Sequence, residues 1–469
     1  MNIFGCTEQD NLLNKLEFIK LHTSKTPAEI FSILQDRYEY VYLLESVVGP
    51  QKLAEYSFLG FEPKQTVILK NKKLTLTDQR NGEKNTIITK DPIEQLRLLT
   101  ANKKVRNQSF RFSGGAVGYI SYDTIRYWEK LPNNTIDDSN YPDAEFAIYD
   151  DGIVFNHKTN EAYYYYLEKN RSSELKINSK LEEPRPITYT DLRRNITQKQ
   201  YERAILKAKD YITEGDIFQV VLSQRIKTNL TGDPHTFYNT LRRINPSAYM
   251  YHLKMDEIRI IGSSPEMLVR TEKNVVETFP IAGTRPITTD HKTNQKLKEE
   301  LLADPKDSAE HIMLVDLGRN DLGKISKYGT VKTTEFMEVH EYSHVQHMVS
   351  HVKGELKPQY DSYDAIRAVF PAGTVSGAPK LRAMEIIDEL ETTRRGPYAG
   401  AVGYFSYNGN SDFAITIRTL TTNRDQACIQ AGAGIVVDSQ PIKEWHETKD
   451  KAAGLLNALN LASEKAEIK

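Results

Sequence analysis

The sequence predicts an α+β fold with two β-rich lobes and flanking helices, and three observations support this prediction. Residues 1 to about 165 alternate short β-rich runs with turns. A helix with a start signal follows a charged stretch from Glu168 to Pro186. Two similar segments, beginning at Gly115 and Gly400, each predict a strand entered through glycine. We therefore expect β-structure in both parts of the chain.

Length, charge and cysteine content limit the possible function classes. A chain of 469 residues is long for one simple core and suits two or three domains, or two intertwined lobes. Its 62 Lys and Arg balance 63 Asp and Glu, which argues against a nucleic-acid or anionic-membrane partner. The only cysteines are Cys6 and Cys428, and no apolar run is long enough for a signal peptide or a membrane span. We expect a cytoplasmic protein without the thiol chemistry that hydrolyses glutamine.

The charged stretch indicates a linker or a surface excursion, and we expect a second domain to begin after it. Thr197 and Gln200 have the spacing of a capping box, and Gly215 is a stop signal. The apolar face between them comprises Tyr201, Ala204, Ile205, Ala208, Tyr211 and Ile212. We predict a regulatory domain over residues 1–190 and a catalytic domain over residues 191–469.

The segment Pro371–Lys380, with the sequence PAGTVSGAPK, predicts a tight loop. Helical spacing of apolar residues follows from Lys380, so the loop leads into a helix N-terminus, where free amides bind anions. A purely structural turn is the alternative.

An internal echo links the two parts of the chain. Residues 115–122 and 400–407 differ at one position in eight. We expect equivalent strands in two related sheets, with chance similarity as the alternative.

Two acidic pairs have helical spacing. Glu444 and Glu447 share a helix face with Lys451, and Asp307 and Glu310 repeat the three-residue spacing. Each pair adjoins an apolar segment, and facing carboxylates at a core boundary suit Mg²⁺. Solvated helix surface and an ordinary ion pair are the alternatives.

Four long segments, taken in order, resemble the chorismate-utilising enzymes, and among these the anthranilate-forming branch is the most similar. They are Ala309–Leu322, Pro371–Lys380, Gly432–Ser439 and Glu444–Ala452. The resemblance is dense from about 195 to 460, and it implies the chorismate-binding fold and a Mg²⁺-dependent reaction.

The resemblance also implies roles for individual positions. The catalytic residues it implies are Glu266, His347, Gln219 and Thr374. The substrate-binding residues are Ala282, Gly283, Thr284, Tyr398, Arg418, Gly432, Ala433, Gly434 and Lys451. The metal ligands are Glu310 and Glu447, supported by Glu444 and by Asp307, which is shorter than the family's usual Glu.

Two positions separate the branches of the family. Relatives that add water carry Lys as a base at position 219, and Gln219 cannot deprotonate water, so the resemblance favours ammonia. Many aminodeoxychorismate synthases carry a nucleophilic Lys where this chain has Ala282. His344, His347 and His351 have zinc-like spacing on a helix, but the alternating pattern around them predicts a strand.

The first domain resembles a tryptophan-binding regulatory segment, and an early part of the second domain resembles its partner. The inhibitor-binding residues implied are Glu45, Ser46, Asn245, Pro246, Ala248, Tyr249 and Met250. Ala248 departs from the family's usual Pro, and a buried strand followed by a turn is the alternative.

The expected reaction is amination of chorismate with ammonia from a separate glutamine amidotransferase subunit, then loss of pyruvate to give anthranilate. Three alternatives stay open: an aminodeoxychorismate synthase component, an isochorismate or salicylate synthase, and a non-catalytic tryptophan-sensing subunit.

Overall fold

A computed structural model of the chain describes residues 15–47, 55–101, 105, 110–342 and 345–464. Cys6 and His344 lie outside these ranges. The helices are α1 Pro27–Gln35, α2 Pro92–Ala101, α3 Gln198–Thr213, α4 Pro234–Ile244, α5 His291–Ala303, α6 Pro305–Ile325, α7 Ser362–Val369, α8 Lys380–Leu390 and α9 Pro441–Glu464. No helix in the described part of the chain is long and apolar enough to cross a membrane.

The strands belong to two large sheets. Strands before residue 190 are β1 Glu17–Leu21, β2 Tyr40–Glu45, β3 Tyr56–Phe61, β4 Gln65–Lys70, β5 Lys73–Asp78, β6 Lys84–Ile88, β7 Gly115–Ile120, β8 Ala144–Tyr149, β9 Asp151–Asn156, β10 Glu161–Tyr166 and β11 Ile187–Tyr189. The later strands are β12 Arg193–Arg194, β13 Gln219–Gly232, β14 Tyr249–Met255, β15 Ile258–Ser264, β16 Met267–Glu272, β17 Val275–Thr278, β18 Ile281–Pro286, β19 Lys332–Glu341, β20 Val345–Glu355, β21 Gly377–Ala378, β22 Ala401–Ser406, β23 Ser411–Ile415, β24 Thr419–Asn423 and β25 Gln426–Ile435.

Each sheet combines strands from both sides of residue 190. The first runs β1-β10-β9-β3-β2-β14-β15-β24-β25-β13-β11, with β12 and β21 also paired to β13. The second runs β18-β20-β17-β16-β23-β22-β7-β8-β4-β5-β6, with β19 paired to β20. The predicted α+β class with flanking helices is confirmed, whereas the domain boundary at residue 190 stays a prediction.

Aromatic side chains fill the space between the two sheets. The ring of Phe58 on β3 lies 5.9 Å from that of Tyr404 on β22, and the ring of Tyr42 on β2 lies 4.8 Å from that of Tyr149 on β8. These four rings belong to one buried apolar cluster that joins the sheets. Burying this apolar surface is the main force that holds the sheets together.

The two echo strands lie side by side in one sheet, which corrects the expectation of two related sheets. β7 pairs antiparallel with β22, and Gly118 lies opposite Gly403. A Cβ at Gly118 would lie 2.0 Å from the Glu145 carbonyl oxygen, and a Cβ at Gly403 would lie 2.0 Å from that of Asp412. The shared glycine pattern therefore allows close strand packing at the centre of one sheet.

The predicted start of α3 is confirmed. Thr197 caps α3 and forms the capping box with Gln200, and the buried face of the helix carries Tyr201, Ile205 and Ala208. The Pro371–Lys380 segment is a loop that leads into α8, as predicted. Its amides at Val375 and Ser376 bond within the loop. These two amides are therefore not free to bind an anion.

A buried ion pair fastens β13 to the loop before α8 and to the end of that helix. The Arg395 guanidinium donates to the carbonyls of Val221 and Val375, each at 2.7 Å, and to Glu391 at 2.6 and 3.0 Å. Glu391 also accepts from the amide and hydroxyl of Ser223 at 2.8 Å. Every hydrogen-bonding group of this contact therefore has a partner inside the protein.

We predict that Arg395→Met lowers the free energy of unfolding by about 3–5 kcal/mol, because it leaves the Glu391 carboxylate buried without its cation. Urea unfolding followed by fluorescence measures the change. The matched control is Arg424→Met, which removes an exposed pair with Glu257 at 2.7 Å and should leave the midpoint unchanged. An unchanged unfolding midpoint for Arg395→Met would contradict a stabilising role for the buried pair of Arg395 and Glu391.

Candidate active site

Gln219 begins β13 and lies close to the glycine-rich part of β25. Val221 pairs with Gly434, and the Gln219 amide nitrogen donates to Glu310 Oε1 at 3.0 Å. A Cβ at Gly434 would lie 2.4 Å from that nitrogen. Glycine at position 434 therefore leaves the room that the Gln219 side chain occupies.

Glu310 on α6 bonds this amide, and its carboxylate interacts with that of Glu447 on α9, which in turn interacts with that of Glu444 on the same helix. Burial raises the pKa of Glu310, and the Glu447 carboxylate adds to that rise. Burial also raises the pKa of Glu444, with Glu447 again adding to it. The Lys451 ammonium lies 2.7 Å from Glu447 Oε1. Among the described residues, Glu447 is thus the one of these three acids that forms an ion pair.

The donor atoms fit a hard cation. Glu444 Oε2 and Gln219 Oε1 are buried and have no hydrogen-bond partner within the described residues. Mg²⁺ takes oxygen ligands and is usually held by one or two carboxylates plus waters and substrate. Glu310, Glu444 and Glu447 can therefore hold Mg²⁺, with the charge of the ion offsetting their mutual repulsion.

A second set of potential ligands lies elsewhere. Among the residues that the structure describes, the one group of three whose ligand atoms all lie within 4.8 Å is Glu335, Glu338 and His340 on β19. Glu310, Glu444 and Glu447 are not such a group among the described residues, and Glu447 is paired with Lys451. A cation among them would compete with Lys451 for Glu447.

Asp307, the fourth predicted ligand, has a different partner. Its Oδ2 lies 2.9 Å from Nη1 of Arg285 on β18. A Cβ at Gly283 on the same strand would lie 3.4 Å from Asp307 Cγ. Asp307 thus contacts β18.

The structure brings Glu266 and Thr374, two of the predicted catalytic residues, together. Both line one small cavity of about 40 Å³, together with apolar side chains of α6 such as Leu314. Burial raises the pKa of Glu266 to about 8, against the opposing influence of Thr374 and Lys451. This carboxyl is protonated at neutral pH and can serve as a proton donor.

The predicted carboxylate-binding groups lie at the free end of β25. Lys451 Nζ donates to the Gly432 carbonyl at 3.1 Å, and a Cβ at Gly432 would lie 2.8 Å from the Tyr398 hydroxyl. The pairing of β24 with β25 stops at Leu420 and Ile429. Beyond that point, the stretch of β25 that contains Ala433 pairs with β13 on one side only. Alternate amides of an antiparallel strand point to opposite sides, so some here point away from β13.

Arg418 adds an unpaired cation to this region. In the described residues no carboxylate forms an ion pair with it, and burial lowers its pKa while Tyr398 opposes that shift. A half-buried guanidinium without a carboxylate partner is suited to receive one from a ligand.

His347 lies on β20 beside β18, where it meets the other predicted substrate-binding positions. Its Nδ1 lies 3.0 Å from the Thr284 hydroxyl and 3.2 Å from the Gly283 carbonyl. Ala282 is buried and pairs with Met348. Burial lowers the pKa of His347, and the nearby Arg418 adds to this. The ring is therefore neutral near pH 7.

Sequence reasoning missed two neighbours of this site. Tyr342 lies edge-on to His347, with ring centroids 5.5 Å apart, and burial with the Glu266 charge raises its pKa to about 12. The Lys306 ammonium lowers the pKa of both Glu310 and Glu444, against the larger effect of burial. The one sequence signal for Lys306 was its place beside Asp307 at the start of an acidic helix, and nothing marked Tyr342.

Comparison with known proteins decides the family. The model of the chorismate binding enzyme family matches residues 39–457. The chain belongs to this family. It is 46% identical over 468 residues to a protein named anthranilate synthase component 1 from Methanothermobacter thermautotrophicus, covering 99% of this chain and 97% of that one.

Two further relatives place the chain within the chorismate-binding enzymes. A crystal structure of anthranilate synthase component I from Streptococcus pneumoniae matches with a TM-score of 0.77 and 38% identity, over 87% of this chain and 94% of that one. A Bacillus subtilis protein named aminodeoxychorismate synthase component 1 is 40% identical, over 93% of this chain and 95% of that one. The chorismate-binding fold expected from the motifs is confirmed.

In this chorismate-binding enzyme, the segments predicted to bind tryptophan are adjacent. β2 pairs with β14, which places Glu45 opposite Met250, and the Ser46 hydroxyl donates to the Ala248 carbonyl. The Glu45 carboxylate already accepts from Tyr238 at 2.8 Å and from Arg242 at 2.7 and 2.9 Å.

The other predicted inhibitor contacts flank this pair. The Tyr249 hydroxyl donates to Asp412 at 2.9 Å, and the Asn245 carbonyl accepts from Ser263. Pro246 is half-buried between Asn245 and Ser247. A tryptophan amino group at Glu45 would have to share the carboxylate with Arg242, so the inhibitor role of these residues stays a prediction.

We predict that kcat/KM falls as pH rises through about 8, because the raised pKa of Glu266 keeps the acid form below that pH and ionisation removes it above. Glu266→Gln should lower kcat/KM by about 10²- to 10⁴-fold and abolish this alkaline limb. Initial rates from pH 6 to 10, roughly the range over which such a group titrates, test both points. An alkaline limb that persists in the variant would contradict the role of Glu266.

Proposed function

We propose that this chain aminates chorismate with ammonia in a Mg²⁺-dependent reaction and then eliminates pyruvate to give anthranilate. Proteins named anthranilate synthase component 1 are 46% and 44% identical to it over nearly the whole chain, which supports the proposal. The single observation that carries it is the buried Gln219, whose nitrogen is bound to Glu310 and whose oxygen has no partner in the described residues.

Chorismate carries two carboxylates, and the site offers matching groups. Arg418, Lys451, the Tyr398 hydroxyl and the amides near Gly432 and Gly434 form one positive and donor-rich wall. Mg²⁺ held by Glu310, Glu444 and Glu447 would supply a further positive charge for a substrate carboxylate. The nearly neutral chain thus concentrates its anion-binding groups at one place.

Glu266 donates the proton that the 4-hydroxyl needs to leave as water. The bond from carbon 4 to oxygen breaks as the bond from nitrogen to carbon 2 forms, and both ring double bonds shift, to carbons 1 and 6 and to carbons 4 and 5. The protonated carboxyl of Glu266 suits this step because burial keeps it neutral at pH 7.

Gln219 selects ammonia over water. Water must lose a proton to attack, and an amide side chain is no base at neutral pH. Ammonia already has a free electron pair, and its N–H groups can donate to the unpaired Gln219 Oε1. The amide thus orients the nucleophile without removing a proton from it.

His347 acts as the base in the second step, the loss of pyruvate. A neutral imidazole near Thr284 and Gly283 can take the proton from carbon 2 of the aminated intermediate. The bond from carbon 3 to the enolpyruvyl oxygen then breaks and the ring becomes aromatic. The enolate released becomes pyruvate when its methylene carbon gains the proton that was taken from carbon 2. Ala282 offers no nucleophile, which argues against a covalent route.

A separate glutamine amidotransferase supplies the ammonia in this proposal. The term "component 1" in the names of the relatives supports a second component. Burial raises the pKa of the Cys428 thiol, so this residue is not an activated thiolate. Glutamine-dependent turnover by the purified chain alone would overturn this part of the proposal.

Tryptophan is the proposed feedback inhibitor, bound between β2 and β14. The backbone pairing of Glu45 with Met250 brings the two implied segments together, which supports a pocket at this junction. Binding would exchange part of the Arg242 contact with Glu45 for the amino group of the ligand. Because strands from both sides of residue 190 form this junction, a ligand here can act on the catalytic region.

The second candidate is formation of aminodeoxychorismate without pyruvate loss. The 40% identical relative from Bacillus subtilis carries that name, so overall identity does not separate the two products. A purely tryptophan-sensing subunit is the third candidate. It would bind tryptophan and release no product.

We predict that the purified chain with chorismate, ammonium and Mg²⁺ releases anthranilate and an equal amount of pyruvate. Mass spectrometry and anthranilate fluorescence identify the product, and tryptophan at millimolar concentration should suppress it. Omission of Mg²⁺ is the control. An aminated product that keeps its enolpyruvyl group would assign the chain to the aminodeoxychorismate branch, and no product at all would favour the sensing subunit.

A further inference from the structure

Asp307 lies at the corner where α5 meets α6, on the side that faces β18. Arg285 bridges two acids at this corner, with Nη1 at 2.9 Å from Asp307 Oδ2 and Nη2 at 3.2 Å from Asp304 Oδ2. The other oxygen of Asp304 caps α6, accepting from the amides of Lys306 and Asp307 at 2.9 and 3.2 Å. The carboxylates of this corner are thus already engaged.

The Asp307 side chain also packs against the backbone of β18. A Cβ at Gly283 would lie 3.4 Å from both Cβ and Cγ of Asp307, and 2.7 Å from a methyl group of Leu301. Gly283 has φ +67°, in the left-handed region that favours glycine. Asp307 and Leu301 therefore hold a stretch of backbone that only glycine adopts easily.

That backbone in turn holds His347. The Gly283 carbonyl accepts from His347 Nδ1 at 3.2 Å, and the Thr284 hydroxyl lies 3.0 Å from the same nitrogen. A continuous set of contacts therefore runs from Asp307 through Gly283 to the imidazole. In the other direction, Asp307 is one helical turn from Glu310, but its carboxylate is paired with Arg285 on β18.

We propose that Asp307 is a positioning residue, which with Arg285 fixes Gly283 and His347, and that the metal is held by Glu310, Glu444 and Glu447 without it. The inference rests on the proposed function. The side chain of Asp is one methylene shorter than that of Glu and therefore reaches less far. The partner that Asp307 reaches is Arg285. The two acidic pairs have the same three-residue spacing in the sequence. In this proposal both members of the pair Glu444 and Glu447 hold the metal, whereas only Glu310 does so in the pair Asp307 and Glu310.

Titration of MgCl₂ into the full-length chain by calorimetry tests the metal half of the inference. Asp307→Asn should change the Kd for Mg²⁺ by less than about threefold, far from the ~10- to 100-fold that loss of a residue supporting a metal ligand costs. Glu310→Gln should weaken binding by at least about tenfold. The matched control is Asp316→Asn on the same helix, which removes an exposed pair with Arg319 at 3.0 Å.

Weakening by tenfold or more in Asp307→Asn, about the loss expected for a group that serves the metal, would overturn the proposal. Arg285→Met provides a second test that keeps the Asp307 carboxylate. A positioning role predicts unchanged Mg²⁺ affinity in this variant, whereas a ligand role predicts tighter binding because the acid loses its competing cation. Tighter binding by more than about threefold would also overturn the proposal.

Release of the aminated intermediate tests the positioning half. If Asp307 acts through His347, both Asp307→Asn and Arg285→Met should release intermediate that keeps its enolpyruvyl group, with KM for chorismate little changed. Wild type and Asp316→Asn should release anthranilate alone. A lower yield of anthranilate without intermediate, or a rise in KM alone, would contradict the role.

The two proposals fail in different ways. Mg²⁺ binding by a wild-type chain that converts no chorismate would refute the proposed function and leave the calorimetric comparison of variants valid. A wild-type chain that binds no Mg²⁺ would overturn both.

Discussion

The antiparallel register between β13 and β25 is the constraint on which the site depends. It places Val221 opposite Gly434 and so leaves room beside β25 for the Gln219 side chain. A one-residue slip would turn every side chain of β13 to the opposite face and would remove Gln219 from Glu310. Arg395 fixes the other edge of the strand through the Val221 carbonyl. The site is thus set by backbone pairing before any charged side chain takes part.

The chemistry then follows from burial. Glu266, Glu310 and Glu444 all have raised pKa values because protein surrounds them, but their neighbours differ. Glu266 shares a cavity with Thr374 and apolar side chains, which suits a group that carries a proton. Glu310 and Glu444 lie near other acids, which suits groups that share a cation. One physical cause therefore gives a carboxyl suited to donating a proton in one place and carboxyls suited to sharing a metal ion in another.

Local signals in the sequence predicted much of this arrangement. The capping box of α3, the loop before α8 and the helical spacing of Glu444 and Glu447 each depend on residues close in the chain, and the structure contains all three. The strand prediction around His347 was also correct, because alternation is a local pattern.

Features that depend on tertiary packing could not be predicted in this way. The echo strands β7 and β22 proved to be neighbours in one sheet, which no local pattern encodes. The partner of Asp307 is Arg285, 22 positions earlier in the sequence, and only the fold brings them together. Tyr342 meets His347 through ring packing that spacing alone does not indicate.

Diffraction from crystals soaked in Mn²⁺ tests the central claim most directly, because Mn²⁺ accepts the oxygen ligands of Mg²⁺ and its anomalous signal locates it. The account predicts one strong peak among Glu310, Glu444 and Glu447, with Asp307 still bound to Arg285. A peak at Glu335, Glu338 and His340 with none near Gln219 would contradict it.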